Sequence, residues 1–337
     1  MSLEYRGGLI PVVNLAGGPC AGKGLQAQAL AELGGETFET GQSYRLLGLE
    51  LSRLVGVEFG MPFAEVERRV HTLGGQAIGE LVAGVGTAIG QQGRDFLYTS
   101  DASALSATVS PHGLVRRYVK ADLRHRVGAV AEAIRQGDTD TTFIVLDGRR
   151  LPEAIDHGDE IEGPVEGLRI VTDIFSDIHP IVAALRDCAR RRIGLPVAGE
   201  EALPFEETEL GKAYHKALVR ARDDVERDLD KNVPQANALP YCSHHEAPFD
   251  VDGLVGLALA SGLGNNIEPL VSLGIRASIP VCRLREGMGR RAFLEGRQLL
   301  LNTSRMRPNV VRRVVQAAFM ESVDAAVESG ALESAAV

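Results

Sequence analysis

The chain has 337 residues, of which 45% are apolar and 24% charged, and its net charge is −9. This length suffices for one large or two ordinary domains, and without an apolar run of membrane length or a charged-plus-apolar leader we expect a soluble, cytoplasmic protein with no membrane partner. The negative charge argues against nucleic acid as the main partner.

The first informative stretch is GGPCAGKG, residues 17–24. An apolar run, Leu9 to Leu15, predicts a buried strand before it, and leucines and alanines at helical spacing follow it. The glycines therefore stand at a strand-to-helix turn, where Gly17, Gly18 and Gly22 allow backbone N–H groups to point at an anion. Lys23 would reach the outer phosphates of a nucleotide. The alternative is a glycine-rich turn with no ligand, which leaves Lys23 without a role.

The same stretch departs from the usual phosphate-loop pattern in one respect. The Ser or Thr that ordinarily holds magnesium after the lysine is replaced by Gly24, and Leu25 cannot substitute for it.

The second stretch is ETGQSYR, residues 39–45, where a strand should end near residues 37–39 and a helix should carry Tyr44. Together with the loop, this stretch resembles the bacterial cytidylate kinases, whose corresponding segment reads acidic-Ser-Gly-x-x-Tyr-Arg. The resemblance implies that Thr40 and Arg45 hold the acceptor nucleotide. The alternative is an ordinary amphipathic helix with a solvated arginine.

The region from about 58 to 125 occupies the place of the mobile acceptor-binding insert of these kinases. Residues 62–93 predict two helices, the second rich in glycine, which fits a lobe that closes. Arg116, in a VR setting, resembles an acceptor-phosphate arginine of the family. Its basic neighbours on the same predicted helix fit a solvated face equally well.

The third stretch is TTFIVLDGRR, residues 141–150, a run of strand-forming residues that ends at Asp147. A carboxylate there lies at the edge of the sheet that carries the phosphate loop. The family reads Asp-Gly-Arg-Asp at this point, which implies a magnesium-organising Asp147 and a phosphate-facing Arg149. Arg150 departs from the family's second Asp, reversing a charge where the acceptor is recognised.

The stretch LRIVTDIFSD, residues 168–177, predicts a further strand that ends at Asp173. An arginine-rich helix is predicted after it. Its arginines resemble the start of the family's lid, about residues 185–232, and imply that Arg186 and Arg190 meet the nucleotide. Arg222 fits the lid-closing motif, whereas Leu229 stands where the family has another arginine. The resemblance covers roughly residues 9–262, with insertions, and we predict a kinase core at residues 1–262. Residues 263–337 form an extension that we predict to be helical, with a possible homodimer contact.

These observations predict an α/β protein with the P-loop NTPase fold, a doubly wound, mostly parallel five-stranded sheet with helical insert and lid. The resemblance implies phosphoryl transfer from ATP, with Mg²⁺ held by Asp147, to a nucleoside monophosphate, CMP or dCMP first. The alternatives are a small-molecule kinase with another acceptor and a nucleotide-binding protein without activity. The implied catalytic residues are Lys23, Asp147, Arg149 and Arg190; the nucleotide-binding residues are Gly17, Gly18, Gly22, Lys23, Gly24, Leu25, Arg186 and Arg190; the acceptor-binding residues are Thr40, Arg45, Arg116, Arg149, Arg150 and Arg222.

Overall fold

The protein is an α/β structure whose central sheet has six strands in the order β2-β3-β1-β4-β6-β5. The computed structural model describes residues 9–17, 20–85, 88, 95–148, 155, 161, 163–178, 180–191, 208–217, 282–286, 297–303, 308–330 and 332. The strands are β1 (Ile10–Gly17), β2 (Gly35–Glu39), β3 (Phe143–Asp147), β4 (Leu168–Asp177), β5 (Cys282–Glu286) and β6 (Arg297–Asn302).

Seven α-helices are bounded in the described part of the chain. They are α1 (Lys23–Ala31), α2 (Gly41–Val55), α3 (Phe63–Ala83), α4 (Ser100–Val109), α5 (Gly113–Gln136), α6 (Pro180–Arg191) and α7 (Pro308–Glu328). A short 3₁₀-helix covers Asp95–Tyr98, and residues 209–217 are also helical.

All strand pairs are parallel except β5 with β6, so the carboxyl ends of five strands meet at one edge of the sheet. Register brings Glu39 of β2 beside Asp147 of β3, and Asp147 beside Leu15 of β1. The last residues of β2 and β3 are therefore immediate neighbours of the turn that leaves β1. This edge is where ligands bind in open α/β sheets.

Apolar side chains cover both faces of the sheet. On one face, α1 and α7 pack over β1, β3 and β4, with Phe319 of α7 stacked on Phe143 of β3 at 4.1 Å between ring centroids. On the other face, α5 supplies Leu123, Val127 and Ala131. The sheet is thus a middle layer between helices. Strands buried on both faces carry near-continuous apolar runs, and β1 and β3 have that composition.

Helices α2 to α5 form a second apolar cluster beside the sheet. Within it, α3 breaks at Gly74, whose φ of 74° and ψ of 164° are not helical, so two helical segments meet there as the sequence predicts. Gly75 and Gly79 lie against Tyr118 of α5, and a Cβ at Gly75 would meet the Tyr118 hydroxyl oxygen at 2.2 Å. These glycines let α3 and α5 approach closely.

The α/β class and the positions of β1, β2 and β3 agree with the prediction, but two details of the sheet differ from it. Six strands are described rather than five. β4 continues to Asp177 instead of ending at Asp173, because β1 and β6 pair with it on both sides to its last residues.

The C-terminal region differs as well. The prediction of a helical extension is correct for α7 but wrong for residues 282–286 and 297–302, which are strands. β6 pairs with β4, and α7 packs on α1, where Gln316 donates to the Ala29 carbonyl oxygen at 2.8 Å and Arg312 pairs with Glu32. The alternation of polar and apolar residues in the strands is too short to distinguish them from helix by pattern alone.

Candidate functional site

The turn between β1 and α1 contains three described residues with positive φ. Gly17 has a φ of 136°, Cys20 of 62° and Gly22 of 84°, and α1 begins at Lys23 directly after Gly22. A Cβ at Gly17 would lie 2.1 Å from the Ser176 carbonyl oxygen, so only glycine fits between β1 and β4. Cβ atoms at Gly22 and Gly24, in the first turn of α1, would meet no atom of the described residues within 4 Å. The predicted Gly18 lies outside the described residues.

Lys23 turns back over this loop. Its half-buried side chain donates a hydrogen bond from Nζ to the Gly17 carbonyl oxygen at 3.1 Å. Its charge also lowers the pKa of Asp147, at the end of β3. The lysine of the loop and the carboxylate of the third predicted stretch are therefore close enough to interact electrostatically.

Asp147 is 8% exposed and has a perturbed pKa. Burial raises this pKa from an ordinary 3.8 to about 6; the charge of Lys23 opposes the shift, Glu39 adds to it and Arg45 opposes it. No hydrogen bond or close ion pair joins the Asp147 carboxylate to the other described residues. A carboxylate held in this way is suited to a cation, which would favour its charged form.

Glu39, Gln42 and Arg45 extend the charged site from the start of α2. Arg45 Nη1 lies 3.5 Å from Glu39 Oε1, and Gln42 Nε2 donates to Glu39 Oε2 at 3.0 Å. Thr40 is the N-cap of α2 and is 7% exposed. Glu39 was not singled out from the sequence, although a strand predicted to end beside Asp147 was the signal that could have identified it.

Arg116, on α5, is exposed and donates to the Pro111 carbonyl oxygen at 2.7 Å. It lies near Tyr44 of α2: burial raises the pKa of the Tyr44 phenol to about 12, and the charge of Arg116 opposes that shift. Arg116 thus stands near the residue that precedes Arg45, and its role in acceptor binding stays a prediction.

Arg186 of α6 contacts the loop itself. Its Nη1 donates to the Cys20 carbonyl oxygen at 3.1 Å, and its Nη2 donates to the Thr303 carbonyl oxygen at 2.9 Å. Its predicted contact with a nucleotide stays a prediction. Arg190 lies on the same helix, and no contact of its side chain is described. Arg149, Arg150 and Arg222 lie outside the described residues.

The residues after Lys23 explain how the loop is anchored. Gly24 is exposed, whereas Leu25 packs against the apolar cluster under α1 and α7. Gln26 is fully buried and exchanges hydrogen bonds with the Ser176 hydroxyl, at 2.7 and 3.0 Å. Sequence reasoning missed Gln26 and Ser176, and a polar side chain on the buried face of a predicted helix was the available signal.

No protein-family model matches the chain, and no curated protein matches it either. Among the described residues no three His, Cys, Asp or Glu side chains are grouped so that they could hold a metal ion. The described helices include none that is both long and apolar enough to cross a membrane.

Proposed function

We propose that the protein transfers the γ-phosphoryl group of ATP to a nucleoside monophosphate, with CMP or dCMP as the first acceptors to test. One observation carries this proposal: Lys23, at the N-terminus of α1, shares a site with Asp147 at the carboxyl end of β3. A cation at a helix terminus beside a buried carboxylate is the arrangement that phosphoryl transfer from a magnesium nucleotide needs.

Each charged residue has a role in this proposal. Lys23 binds the outer phosphates and stabilises the charge that develops on the transferred group. Asp147 is the metal ligand: it is buried, its pKa is raised, and a divalent cation would offset both effects. The bound Mg²⁺ would supply neutralisation of the phosphate oxygens. Arg45, held by Glu39, and the exposed Arg116 supply cations for an acceptor phosphate.

The resemblance to cytidylate kinases supports the choice of acceptor, because Thr40 and Arg45 match the family's acceptor motif. In the same scheme residues 58–125 are the acceptor insert, residues 185–232 the lid, and ATP and Mg²⁺ the donor pair. Catalysis then rests on positioning and charge stabilisation, without a covalent intermediate.

A second candidate is a nucleotide-binding protein without turnover or with another acceptor. The loop favours this candidate, because Gly24 replaces the hydroxyl residue that ordinarily holds magnesium. Leu25, which packs against the apolar cluster, cannot substitute for it. Arg150, which reverses a charge in the acceptor motif, also favours a changed acceptor.

The test is ADP formation from ATP and Mg²⁺ with CMP, dCMP, UMP and a panel of phosphorylated metabolites, with the phosphorylated product identified by mass spectrometry. We expect product from at least one nucleoside monophosphate. Lys23→Ala should raise the activation free energy by about 2 to 4 kcal/mol, as removal of a charge-stabilising contact does.

The matched control is Arg53→Ala, which removes an exposed cation whose one ion-pair partner among the described residues is Glu50 of α2, and it should leave turnover unchanged. Turnover by Lys23→Ala equal to the parent would reject phosphoryl transfer at this loop. Tight ATP binding with no product from any acceptor would instead support the second candidate.

A further inference from the structure

A single guanidinium links the turn between β1 and α1 to the segment that follows β6. Arg186 Nη1 donates to the Cys20 carbonyl oxygen at 3.1 Å and to the Thr303 hydroxyl at 3.3 Å, and Nη2 donates to the Thr303 carbonyl oxygen at 2.9 Å. Thr303 is 1% exposed and comes directly after β6. Two segments that are distant in the chain therefore share one side chain.

The residue that Arg186 holds has an unfavourable backbone. Cys20 has a φ of 62°, the one positive φ of a residue other than glycine among the described residues. The left-handed conformation is unfavourable for a residue with a Cβ atom, because the Cβ atom comes too close to backbone oxygen. A charged donor on its carbonyl oxygen offsets part of that cost.

The bond to Cys20 also sets the direction of the next amide. Because a peptide bond is planar and trans, the N–H of Ala21 points away from the carbonyl oxygen that Arg186 holds. Gln26 Nε2 lies 3.4 Å from the Ala21 carbonyl oxygen and fixes the N–H of Gly22 in the same way. Two consecutive N–H groups before α1 are thus oriented by side chains behind the loop.

The geometry points to Arg186 as a positioning residue that fixes the backbone of residues 20–22 for phosphate binding by joining it to Thr303. This inference rests on the proposed function of the loop. It gives the C-terminal strand β6 a part in nucleotide binding without any contact between that strand and the nucleotide.

Arginine is suited to this role and lysine is not. The planar guanidinium donates in two directions at fixed angles, whereas an ammonium is a single point charge. Burial lowers the pKa of the Arg186 guanidinium, so the environment opposes its charge. Arg186→Lys therefore keeps the charge but loses the link between the two segments.

The first experiment uses the full chain without nucleotide and follows hydrogen–deuterium exchange of the peptide covering residues 17–26. We expect Arg186→Lys to exchange about 10-fold faster at Leu25 and Gln26, whose N–H groups donate to the Gly22 carbonyl oxygen at 3.0 and 3.1 Å, because the loop opens locally. The matched control is Arg135→Lys, which alters another arginine that donates to a backbone carbonyl, that of Glu166 at 2.7 Å, near the opposite edge of the sheet. The control should leave exchange in the loop unchanged.

The second experiment measures the affinity for ATP and for ADP by calorimetry. A mispositioned loop should weaken the binding of ATP and of ADP by the same factor, about 10-fold, because both carry the phosphates nearest the loop. Thr303→Val removes one acceptor and should change both affinities less, and adding it to Arg186→Lys should cause little further loss. A loss confined to ATP would show that Arg186 contacts the terminal phosphate directly, and it would overturn the inference.

Loop exchange identical in folded Arg186→Lys and in the parent would also overturn it. If Arg186→Lys does not fold, Thr303→Val decides in the same way, by faster or by unchanged exchange at Leu25 and Gln26. The proposed function fails separately, if the parent binds neither ATP nor ADP; exchange in the loop still judges the link between Arg186 and Thr303.

Discussion

Two carboxylates, one at the carboxyl edge of the sheet and one on the surface of a helix, have opposite environments. Asp147 ends β3 and is 8% exposed, and burial raises its pKa to about 6. Glu65 lies in the first turn of α3 and accepts hydrogen bonds from Arg68 at 2.6 Å and Arg69 at 2.7 Å. Those bonds, with Arg68 first, lower the pKa of Glu65 to about 2.

The difference separates a site from a surface. The folded protein binds a proton at Asp147 more tightly than the unfolded chain does, so Asp147 opposes folding at neutral pH and this penalty disappears as the pH falls below about 4. Glu65 does the reverse: it stabilises the fold above about pH 4.5, and its contribution disappears as the pH falls towards 2. A residue that destabilises the empty fold is expected where a ligand binds.

The largest effect that we expect on stability comes from replacing a glycine at the sheet edge, compared with a glycine at a helix end. Gly17→Ala should lower the free energy of unfolding by about 3 kcal/mol or more, because the new Cβ adds a backbone clash at 2.1 Å to an unfavourable φ of 136°. Gly137→Ala, at the C-cap of α5, introduces an unfavourable φ of 73° with nothing within 4 Å and should cost about 1 to 2 kcal/mol. Chemical denaturation of both variants measures the difference; equal losses would mean that the edge is no more tightly built than the helix end.

The next effect concerns Asp147. Asp147→Asn should raise the free energy of unfolding at pH 7 by up to about 3 kcal/mol, because one pKa unit is worth about 1.4 kcal/mol and the pKa rises from 3.8 to about 6. The parent should gain stability as the pH falls from 7 to 4, and the variant should lack that gain. Denaturation across this pH range measures both.

The same variant should lose magnesium-dependent turnover while binding ATP nearly as well as the parent. A magnesium titration of activity, with ATP affinity measured in parallel, separates the two. A variant that is both more stable and fully active would remove Asp147 from the site.

The sequence predicted the parts of this edge that local patterns determine. The buried strands β1 and β3 and the turn at Gly17 and Gly22 follow from apolar runs and from glycine placement, and the order of parallel strands then brings Lys23 towards Asp147. Pairing with distant strands was beyond such patterns: the length of β4 and the strand β6 depend on contacts between residues far apart in the chain. For the same reason no pattern indicated that Thr303 would bond to Arg186.

The smallest effect lies on the helical side of the comparison. Glu65→Gln should lower stability slightly at pH 7, more at low than at high salt, because its bonds with Arg68 and Arg69 are partly screened by solvent. Glu50→Gln is the matched control, since Glu50 pairs with one arginine, Arg53, and should lose less than Glu65 with two. Denaturation at two salt concentrations, repeated near pH 2, measures the series. The difference between parent and Glu65→Gln should vanish at the low pH, where Glu65 takes up a proton. A difference that persisted there would mean that packing rather than charge accounts for the effect of Glu65 on stability, and the contrast with Asp147 would then rest on Asp147 alone.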